Sequence, residues 1–284
     1  PIKVAPQRLT PVPDAPRPKG HRRFLSPQKR IAVLAVIKEF LANDWLVRTT
    51  AAHQVLYAAP IHPVKKPDGG IRITWDYKRT NKTLRQEYFP MPLPLLDMQA
   101  RLRGKRRFGK ADLSRAYWQI PLDPESGPLV AAQLDDQVFI PKRLPQGLHA
   151  STQICQRVLT TILQGTEGEE DLTECADGVV ILYVDDILLA ATSDAALRRL
   201  WRKVLRRFGD YGVRLNAEKC TFTADEVVFV GRTVSAAGIS PGPKCAEALA
   251  QLKVPQTETE LHDFIHGFNY FRDHIPAFST ITAP

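Results

Sequence analysis

The segment VVILYVDDILLAA, from Val179 to Ala191, decides the fold class of this 284-residue chain. Two apolar runs, Val179–Val184 and Ile187–Ala191, flank the adjacent acidic residues Asp185 and Asp186. Each run has the length and composition of a buried strand, and the acidic pair between them indicates a tight turn. The segment is too short and too charged to cross a membrane. It therefore predicts an antiparallel hairpin that carries two carboxylates at its turn.

A third carboxylate lies at another predicted strand end. The run Phe108–Leu113 predicts a buried strand, and Asp112 lies at its C-terminal end. Carboxylates near apolar strands are costly to desolvate and repel each other, although an isolated Asp-Asp turn is often simply exposed to solvent. Three carboxylates at neighbouring strand ends would supply the hard oxygen ligands that two Mg²⁺ ions need. Two such metal ions stabilise the attacking and leaving oxygens of an in-line displacement.

Helical patterns alternate irregularly with these strands. Ser26 and Pro27 predict the start of a helix, whose apolar stripe consists of Ile31, Leu34, Ile37 and Leu41, widened by Val33 and Phe40. A capping box at Thr257–Glu260 predicts a last helix, with Leu261, Phe264, Ile265, Phe268 and Phe271 facing inward. The runs Ile61–Val64 and Ile71–Trp75 predict a further hairpin. We therefore predict an α+β fold with a mainly antiparallel sheet.

Basic residues are concentrated at residues 101–110 and in the helix that follows Ser193. That helix places its apolar residues on one face and its basic residues elsewhere. The apolar residues are Leu197, Leu200, Trp201, Val204, Leu205 and Phe208, and the basic ones are Arg198, Arg199, Arg202, Lys203, Arg206 and Arg207. The chain has 39 Lys and Arg against 30 Asp and Glu, a net charge of +9. This excess favours a polyanionic partner, although a basic helix face is more often only solvated.

Six motifs in a fixed order resemble the polymerase region of reverse transcriptases from retroviruses and gypsy-like LTR retrotransposons. They are VKKPDGGIRITWDYKRTNK from Val64, the strand that carries Asp112, LPQG from Leu144, YVDD from Tyr183, LNAEKC from Leu215 and FVGR from Phe229. The match extends from about Val55 to Pro276, and NYFRDHIP from Asn269 resembles the thumb of LTR-element enzymes. One short motif would be weak evidence, whereas six in order are specific.

The resemblance implies a right-hand polymerase fold of fingers, palm and thumb, in which an antiparallel palm sheet packs on helices. The implied divisions are an extended N-terminal arm at 1–25, fingers at 26–95 and 129–148, palm at 96–128 and 149–240, and the start of the thumb at 241–284. We expect no RNase H domain in this chain.

The resemblance also implies residue roles. Asp112, Asp185, Asp186 and the backbone carbonyl of Leu113 would hold two Mg²⁺ ions, for which Mn²⁺ could substitute. Tyr117 would lie beneath the sugar of the incoming nucleotide and exclude a 2′-hydroxyl, unless it is a core tyrosine. The other nucleotide contacts would be Arg72, Gln146, Lys219 and Lys65 or Lys66, each of which also fits a solvated position. The template–primer contacts would be Tyr183, Phe229, Val230 and Gly231.

The implied function is that of an RNA-directed DNA polymerase, which uses dNTPs to extend a primer on an RNA or DNA template. The alternatives are a non-catalytic nucleic-acid-binding scaffold and a structural subunit of a dimeric reverse transcriptase. A homodimer, or a heterodimer with longer Pol products, fits the family. We expect no membrane partner, and an intracellular location, in the cytoplasm or a virus-like particle, rather than secretion.

Overall fold

A computed structural model describes residues 1–16, 18, 23–49, 55, 57–65, 69–91, 95–243, 245, 247, 251, 254–268, 272 and 275–282. These residues form two compact units. Unit 1 lies within Pro1–Met91, Leu113–Ile162 and Leu205–Leu215, and unit 2 lies within Pro92–Asp112, Leu163–Val204 and Asn216–Pro284.

The described helices and strands alternate irregularly along the chain, as expected for an α+β fold. The helices are α1 (Pro27–Ala42), α2 (Leu95–Leu102), α3 (Ala116–Gln119), α4 (His149–Gln164), α5 (Asp194–Tyr211), α6 (Glu258–Phe268) and α7 (Phe278–Ile281). The strands are β1 (Leu46–Thr49), β2 (Ala59–Lys65), β3 (Ile71–Trp75), β4 (Arg107–Asp112), β5 (Ala132–Leu134), β6 (Gln137–Pro141), β7 (Glu174–Cys175), β8 (Gly178–Tyr183), β9 (Asp186–Ala191), β10 (Thr221–Ala224), β11 (Glu226–Phe229), β12 (Arg232–Ser235) and β13 (Gly238–Pro241).

The sheet of unit 1 has the strand order β1-β6-β5-β2-β3. Its neighbours pair antiparallel except β2 and β5, which pair parallel. The predicted hairpin is confirmed as β2 and β3, with Ile61 opposite Trp75. The N-terminal arm adds to this unit, since Ile2 and Leu9 are buried and the Leu9 N–H donates to Ser126 Oγ at 2.8 Å.

Helix α1 begins where its sequence predicts but buries only part of the predicted stripe. Its buried residues are Val33, Ile37 and Phe40. The Phe40 ring packs against the rings of Trp118 and Trp45, at centroid distances of 4.4 and 5.2 Å. Aromatic contacts from outside the helix therefore select its buried face. The predicted stripe is wrong at its first two positions, because both side chains are exposed: Ile31 and Leu34.

Two isoleucines of α1 that look alike in the sequence should differ in their effect on stability. We expect Ile37→Ala to lower the free energy of unfolding by about 2–5 kcal/mol, because it leaves a cavity in the core. Ile31 is 70 % exposed, so Ile31→Ala should change that free energy by less than about 0.5 kcal/mol. Urea unfolding followed by circular dichroism measures both. Equal losses would contradict the buried face described here.

The main sheet of unit 2 has the strand order β10-β4-β9-β8-β7. The hairpin predicted from the central acidic segment is confirmed as β8 and β9, which pair antiparallel. Successive residues of a strand point to opposite faces of the sheet. In β4, Phe108, Lys110 and Asp112 share one face, whereas Gly109 and Ala111 share the other.

Different elements cover the two faces of this sheet. The Phe108 face packs in one apolar cluster with α2 and with the three-stranded sheet β11-β12-β13. Helix α5 covers the other face, because a Cβ added at Gly109 would lie 2.6 Å from Trp201 Nε1, and one added at Gly178 would lie 3.2 Å from the Leu200 side chain. Helix α5 and Asp112 therefore lie on opposite faces of the sheet.

Helix α5 is capped as predicted, since the Ala196 N–H donates to Ser193 Oγ at 3.3 Å. Its two faces differ from the prediction at two positions. Leu205 is exposed, and Arg207 is buried, where its Nη1 donates to the Ile162 carbonyl at 2.8 Å. A guanidinium can be buried when its hydrogen bonds are satisfied, and residue hydrophobicity alone does not reveal such a partner.

Two other cations of α5 form ion pairs inside unit 2. Arg199 Nε and Lys203 Nζ lie 2.6 and 2.8 Å from the Asp177 carboxylate, and Lys203 Nζ lies 2.8 Å from Glu170. The hydrogen bonds from Lys203 and then Arg199 lower the pKa of the Asp177 carboxyl. The exposed basic surface of the helix is therefore smaller than the sequence suggests.

Helix α6 starts at its predicted capping box, where the Glu260 N–H donates to Thr257 Oγ1 at 3.2 Å. The predicted inward face is partly confirmed in the described part of this helix: Phe264, Ile265 and Phe268 are half-buried, whereas Leu261 is exposed and no residue is fully buried. Phe271 lies outside the described residues. No helix in the described ranges is long and apolar enough to cross a membrane.

Candidate active site

Asp112 and Asp186 lie directly opposite each other at the ends of β4 and β9. Such cross-strand partners point to the same face of a sheet, with Cα atoms about 4.5–5.5 Å apart. Tyr183 in β8 is the cross-strand partner of Asp186 on its other side. The two carboxylates and the tyrosine therefore share the face that also carries Lys110.

The turn between β8 and β9 consists of Val184 and Asp185. Val184 has a φ of +57°, a left-handed conformation that a β-branched residue rarely adopts. Such a conformation costs on the order of 1–3 kcal/mol and is typical of functional sites. The short turn leaves Asp186 in register with Asp112 and exposes Asp185 at its tip.

The three acidic residues have different surroundings. Asp112 is half-buried, and its carboxylate makes no hydrogen bond or ion pair with the described part of the chain. Asp186 Oδ1 forms an ion pair with Lys110 Nζ at 2.8 Å. Within the described ranges, no three His, Cys, Asp or Glu side chains converge as metal ligands do. In this structure Asp186 faces Lys110 and Asp185 lies at the turn tip, so the expected joint metal site stays a prediction.

The donors at this end of the sheet nevertheless fit a hard divalent cation. Carboxylate oxygens are the ligands that Mg²⁺ and Mn²⁺ prefer in proteins. The half-buried Asp112 carboxylate has no cationic partner among the described residues. The Asp186 carboxylate already binds a cation, the Lys110 amine. A cation bound by both carboxylates would have to replace the Lys110 amine at Asp186.

A short segment holds the C-terminal end of β4. The Asn216 N–H donates to the Asp112 carbonyl at 2.8 Å, and the Asp112 N–H donates to Cys220 Sγ at 3.4 Å. Lys219 lies in this segment, exposed in a 3₁₀ turn. Lys219, a predicted nucleotide contact, therefore lies in a segment that is hydrogen-bonded to the backbone of Asp112.

The hairpin of β11 and β12 carries three of the predicted template–primer contacts. Its turn residues Val230 and Gly231 have positive φ values of +48° and +72°, the pattern of a type I′ turn. Phe229 is fully buried in the apolar cluster of unit 2, so its assignment as a contact residue is corrected to a core residue. Gly231 is exposed and Val230 is half-buried, so these two residues form the accessible tip.

Tyr117 lies in unit 1, in the short helix α3. The chain enters this helix through Arg115, which has a φ of +52° and binds the Glu39 carboxylate through both terminal nitrogens at 2.6 and 3.1 Å. The Tyr117 ring is half-buried, and its hydroxyl lies 3.5 Å from Thr152 Oγ1. Tyr117 is therefore not a fully buried core residue.

Leu113 begins the segment that leads to α3. Its side chain is buried, and its backbone forms an isolated antiparallel bridge with Leu215. The Gln119 amide donates to the carbonyls of Ser114 and Arg214 at 2.6 and 2.9 Å, and its Oε1 accepts from the Arg214 N–H at 2.7 Å. These bonds hold the backbone on both sides of Tyr117.

Gln146 is half-buried in the loop before α4. The next residue, Gly147, has a φ of +103°, and a Cβ there would lie 2.9 Å from the Trp75 carbonyl, so glycine is required. Asn81 joins the two ends of this turn, because its Nδ2 donates to the Gly147 carbonyl at 3.2 Å and its Oδ1 accepts from the His149 N–H at 3.1 Å.

The charged residues of the β2–β3 hairpin point to opposite faces. Arg72 is opposite Val64 and Lys65 is opposite Ile71, and adjacent positions of a strand alternate in direction. Both charged side chains are exposed. The structure therefore separates Lys65 from Arg72, whereas Lys66, the alternative, lies outside the described residues.

Three residues that shape these sites were not singled out from the sequence: Lys110, Arg115 and Asn81. Lys110 had a detectable signal, because it is a charged residue at a position of β4 where the alternation predicts a buried face. Arg115 and Asn81 lie inside the recognised motifs, but their partners Glu39 and His149 are distant in the sequence.

Solved structures with this fold include foamy viral reverse transcriptases. The structure of the foamy viral protease-reverse transcriptase dRH in complex with double-stranded DNA has a TM-score of 0.83 and 24 % identity, over 99 % of this chain and 46 % of that chain. The structure of the protease-reverse transcriptase in complex with an RNA/DNA hybrid has a TM-score of 0.77 and 23 % identity, over 95 % and 34 %. The fold is therefore the right-hand polymerase fold, as predicted.

The chain belongs to the reverse transcriptase (RNA-dependent DNA polymerase) family, whose profile matches residues 64–234. It is similar to the transposon Tf2-3 and Tf2-7 polyproteins of Schizosaccharomyces pombe, at 29 % and 28 % identity over 260 residues and 92 % of this chain. The chain spans 18 % of the length of these polyproteins. The predicted resemblance is thus confirmed, and membership of the family implies a general dependence on divalent metal ions.

Proposed function

We propose that this chain is the polymerase part of a reverse transcriptase, which extends a primer on an RNA or DNA template. The observation that carries the proposal is the register of Asp112 opposite Asp186, with Asp185 at the adjoining turn, inside the range that matches the family. Carboxylates that are partly removed from water at strand ends are costly unless they bind a cation. A metal-dependent phosphoryl transfer gives them that role.

Asp112, Asp185 and Asp186, with the Leu113 carbonyl, would hold two Mg²⁺ ions or their Mn²⁺ substitutes. Bound metal would stabilise charge on the attacking and leaving oxygens of the displacement. The chain contributes buried strands on which the carboxylates keep a fixed backbone register. These carboxylates hold metal rather than transfer protons, and the primer 3′-hydroxyl is the nucleophile.

The residues that the family pattern implies at the incoming dNTP include an arginine, an aromatic ring, a glutamine and lysines. Arg72 is an exposed cation, suited to balance triphosphate charge before phosphoryl transfer. Lys65 points to the face of the hairpin opposite Arg72, and either Lys65 or Lys66 is the second cation of this group. The half-buried ring of Tyr117 would pack against the sugar. Gln146 and Lys219 are the remaining contacts proposed from the family pattern.

The solved relatives in complex with double-stranded DNA and with an RNA/DNA hybrid support nucleic acid as the partner of this chain. In unit 2, Tyr183 and the Val230–Gly231 tip belong to elements on the Asp112 face of the sheet. We propose them as template–primer contacts. The fingers, palm and thumb divisions expected from the sequence are kept as part of this proposal, as is a location in the cytoplasm or in virus-like particles.

Template–primer binding should depend strongly on salt but should not use the arginines of α5. Affinity should fall by roughly 0.7–0.9 log units per phosphate contact for each tenfold rise in salt. Exchanging both Arg198 and Arg202 for glutamine should leave this slope unchanged, because α5 covers the face opposite Asp112. Fluorescence anisotropy with a labelled RNA–DNA duplex measures the slope. A slope reduced by about two contacts would instead place α5 at the nucleic acid.

The deciding experiment is extension of oligo-dT on poly-rA with Mg²⁺, with a chelator as the control. Metal-dependent extension supports the enzyme. Duplex binding without extension at any Mg²⁺ or Mn²⁺ concentration would support the non-catalytic scaffold or structural subunit instead. A mass measurement in solution, alone and with a longer Pol product, tests for the homodimer and the heterodimer.

A further inference from the structure

Lys110 is a cation inside the apolar face of the palm sheet. It lies between Phe108 and Asp112 on the same face of β4, and its side chain is only 26 % exposed. Lysine is almost never fully buried without a partner, and this side chain is mostly removed from solvent. Its amine has two: Asp186 Oδ1 at 2.8 Å and the Val228 carbonyl oxygen at 3.3 Å.

We propose that Lys110 is a positioning residue that competes with the divalent metal for Asp186 and so sets the metal concentration that the enzyme requires. The inference rests on the proposed function, because it assigns Asp186 to the metal. The inference adds Lys110 as the residue that holds the Asp186 carboxylate before metal binds.

The competition follows from distance and charge. A Mg²⁺ ligand lies about 2.0–2.1 Å from the ion. An ammonium group 2.8 Å from the same carboxylate oxygen would repel that ion strongly. The amine must therefore move away from Asp186 when metal binds, and its charge opposes binding for as long as it stays nearby.

The second contact gives the displaced amine a place to go. The Val228 carbonyl belongs to β11, the strand that leads into the Val230–Gly231 tip. An amine that keeps this carbonyl as its partner avoids being left unsatisfied inside the sheet. The same side chain thus links the metal ligand Asp186 to the hairpin that we propose at the primer.

Lys110→Met tests the competition, since methionine fills similar space without the charge. Mn²⁺ binding to the protein free of nucleic acid, titrated by electron paramagnetic resonance, should tighten by about fivefold or more, the factor expected from removing one screened charge at this distance. The Mg²⁺ concentration for half-maximal primer extension should fall in parallel. Lys105→Met is the matched control. This substitution removes the same charge from a lysine that forms no ion pair with described residues. It should leave the Mn²⁺ affinity and the Mg²⁺ requirement unchanged.

Two further variants separate competition from a purely structural role. Lys110→Arg keeps the charge and can pair with the carboxylate through two nitrogens, so Mn²⁺ binding should be unchanged or weaker. Adding Asp186→Asn to Lys110→Met should abolish the gain in affinity. A structural role would change the thermal unfolding temperature and leave the Mn²⁺ affinity of every Lys110 variant at the wild-type value.

Unchanged or weaker Mn²⁺ binding in folded Lys110→Met, or tighter binding in Lys110→Arg, would overturn the proposal. These outcomes are distinct from failure of the proposed function. If the Lys110 variants show the expected changes in Mn²⁺ affinity but the wild-type protein extends no primer, the polymerase function is refuted and the role of Lys110 is kept. Normal extension with identical Mn²⁺ affinities would refute only the role of Lys110.

Discussion

Asp112→Asn, Asp185→Asn and Asp186→Asn should each slow primer extension by about 1000-fold or more. Each change removes a carboxylate proposed to hold metal, and with it several kcal/mol of stabilisation of developing charge. A barrier change of about 1.36 kcal/mol corresponds to tenfold in rate. Asparagine has nearly the same size, so the register of β4 and β9 and the affinity for template–primer should persist. Single-turnover extension measures the rate, and fluorescence anisotropy measures the affinity for template–primer.

Asp263→Asn is the matched control for these three variants. Asp263 is an exposed aspartate of α6 in the same unit, and its Oδ1 lies 3.9 Å from His262 Nδ1. It should extend primers at the wild-type rate. Near-wild-type extension by a variant at 112, 185 or 186 would remove that residue from the site, and loss of duplex binding would show a structural defect instead.

Tyr117→Val should raise ribonucleotide incorporation relative to deoxyribonucleotide incorporation by roughly tenfold to a hundredfold. A ring beneath the sugar leaves no room for a 2′-hydroxyl, and overpacking of this kind costs on the order of 1–3 kcal/mol. Valine removes that clash, so the gain should come mainly from kcat/KM for the ribonucleotide. Single-nucleotide insertion of rNTP and dNTP measures the ratio.

Tyr117→Phe is the control, because it keeps the ring and removes only the hydroxyl. That hydroxyl lies 3.5 Å from Thr152 Oγ1, a long contact whose loss should change little. Tyr117→Phe should therefore discriminate against ribonucleotides like the wild type. If the valine variant keeps the wild-type ratio, the sugar is excluded by another residue.

Local patterns in the sequence were enough for most of the architecture. The strands at 179–191 and 61–75 pair as their apolar runs and turn residues predict, and the helices after Ser26 and Ser193 begin where those residues indicate. These features depend on neighbours within a few residues, which is the range over which periodicity and capping operate. Which face of a helix is buried also depends on distant partners, and the predicted faces of α1, α5 and α6 were each wrong at one or two positions.

For the site, the sequence by itself determined the family, the acidic residues at the strand ends and the elements that carry the other candidates. Only the tertiary structure decided that Asp112 lies opposite Asp186, that Lys65 and Arg72 point apart, and that Phe229 belongs to the core. It also showed that the Asp186 carboxylate forms an ion pair with the Lys110 amine. Strand register, the direction in which a side chain points and ion pairing depend on residues brought together from distant parts of the chain. A motif records only residues adjacent in sequence.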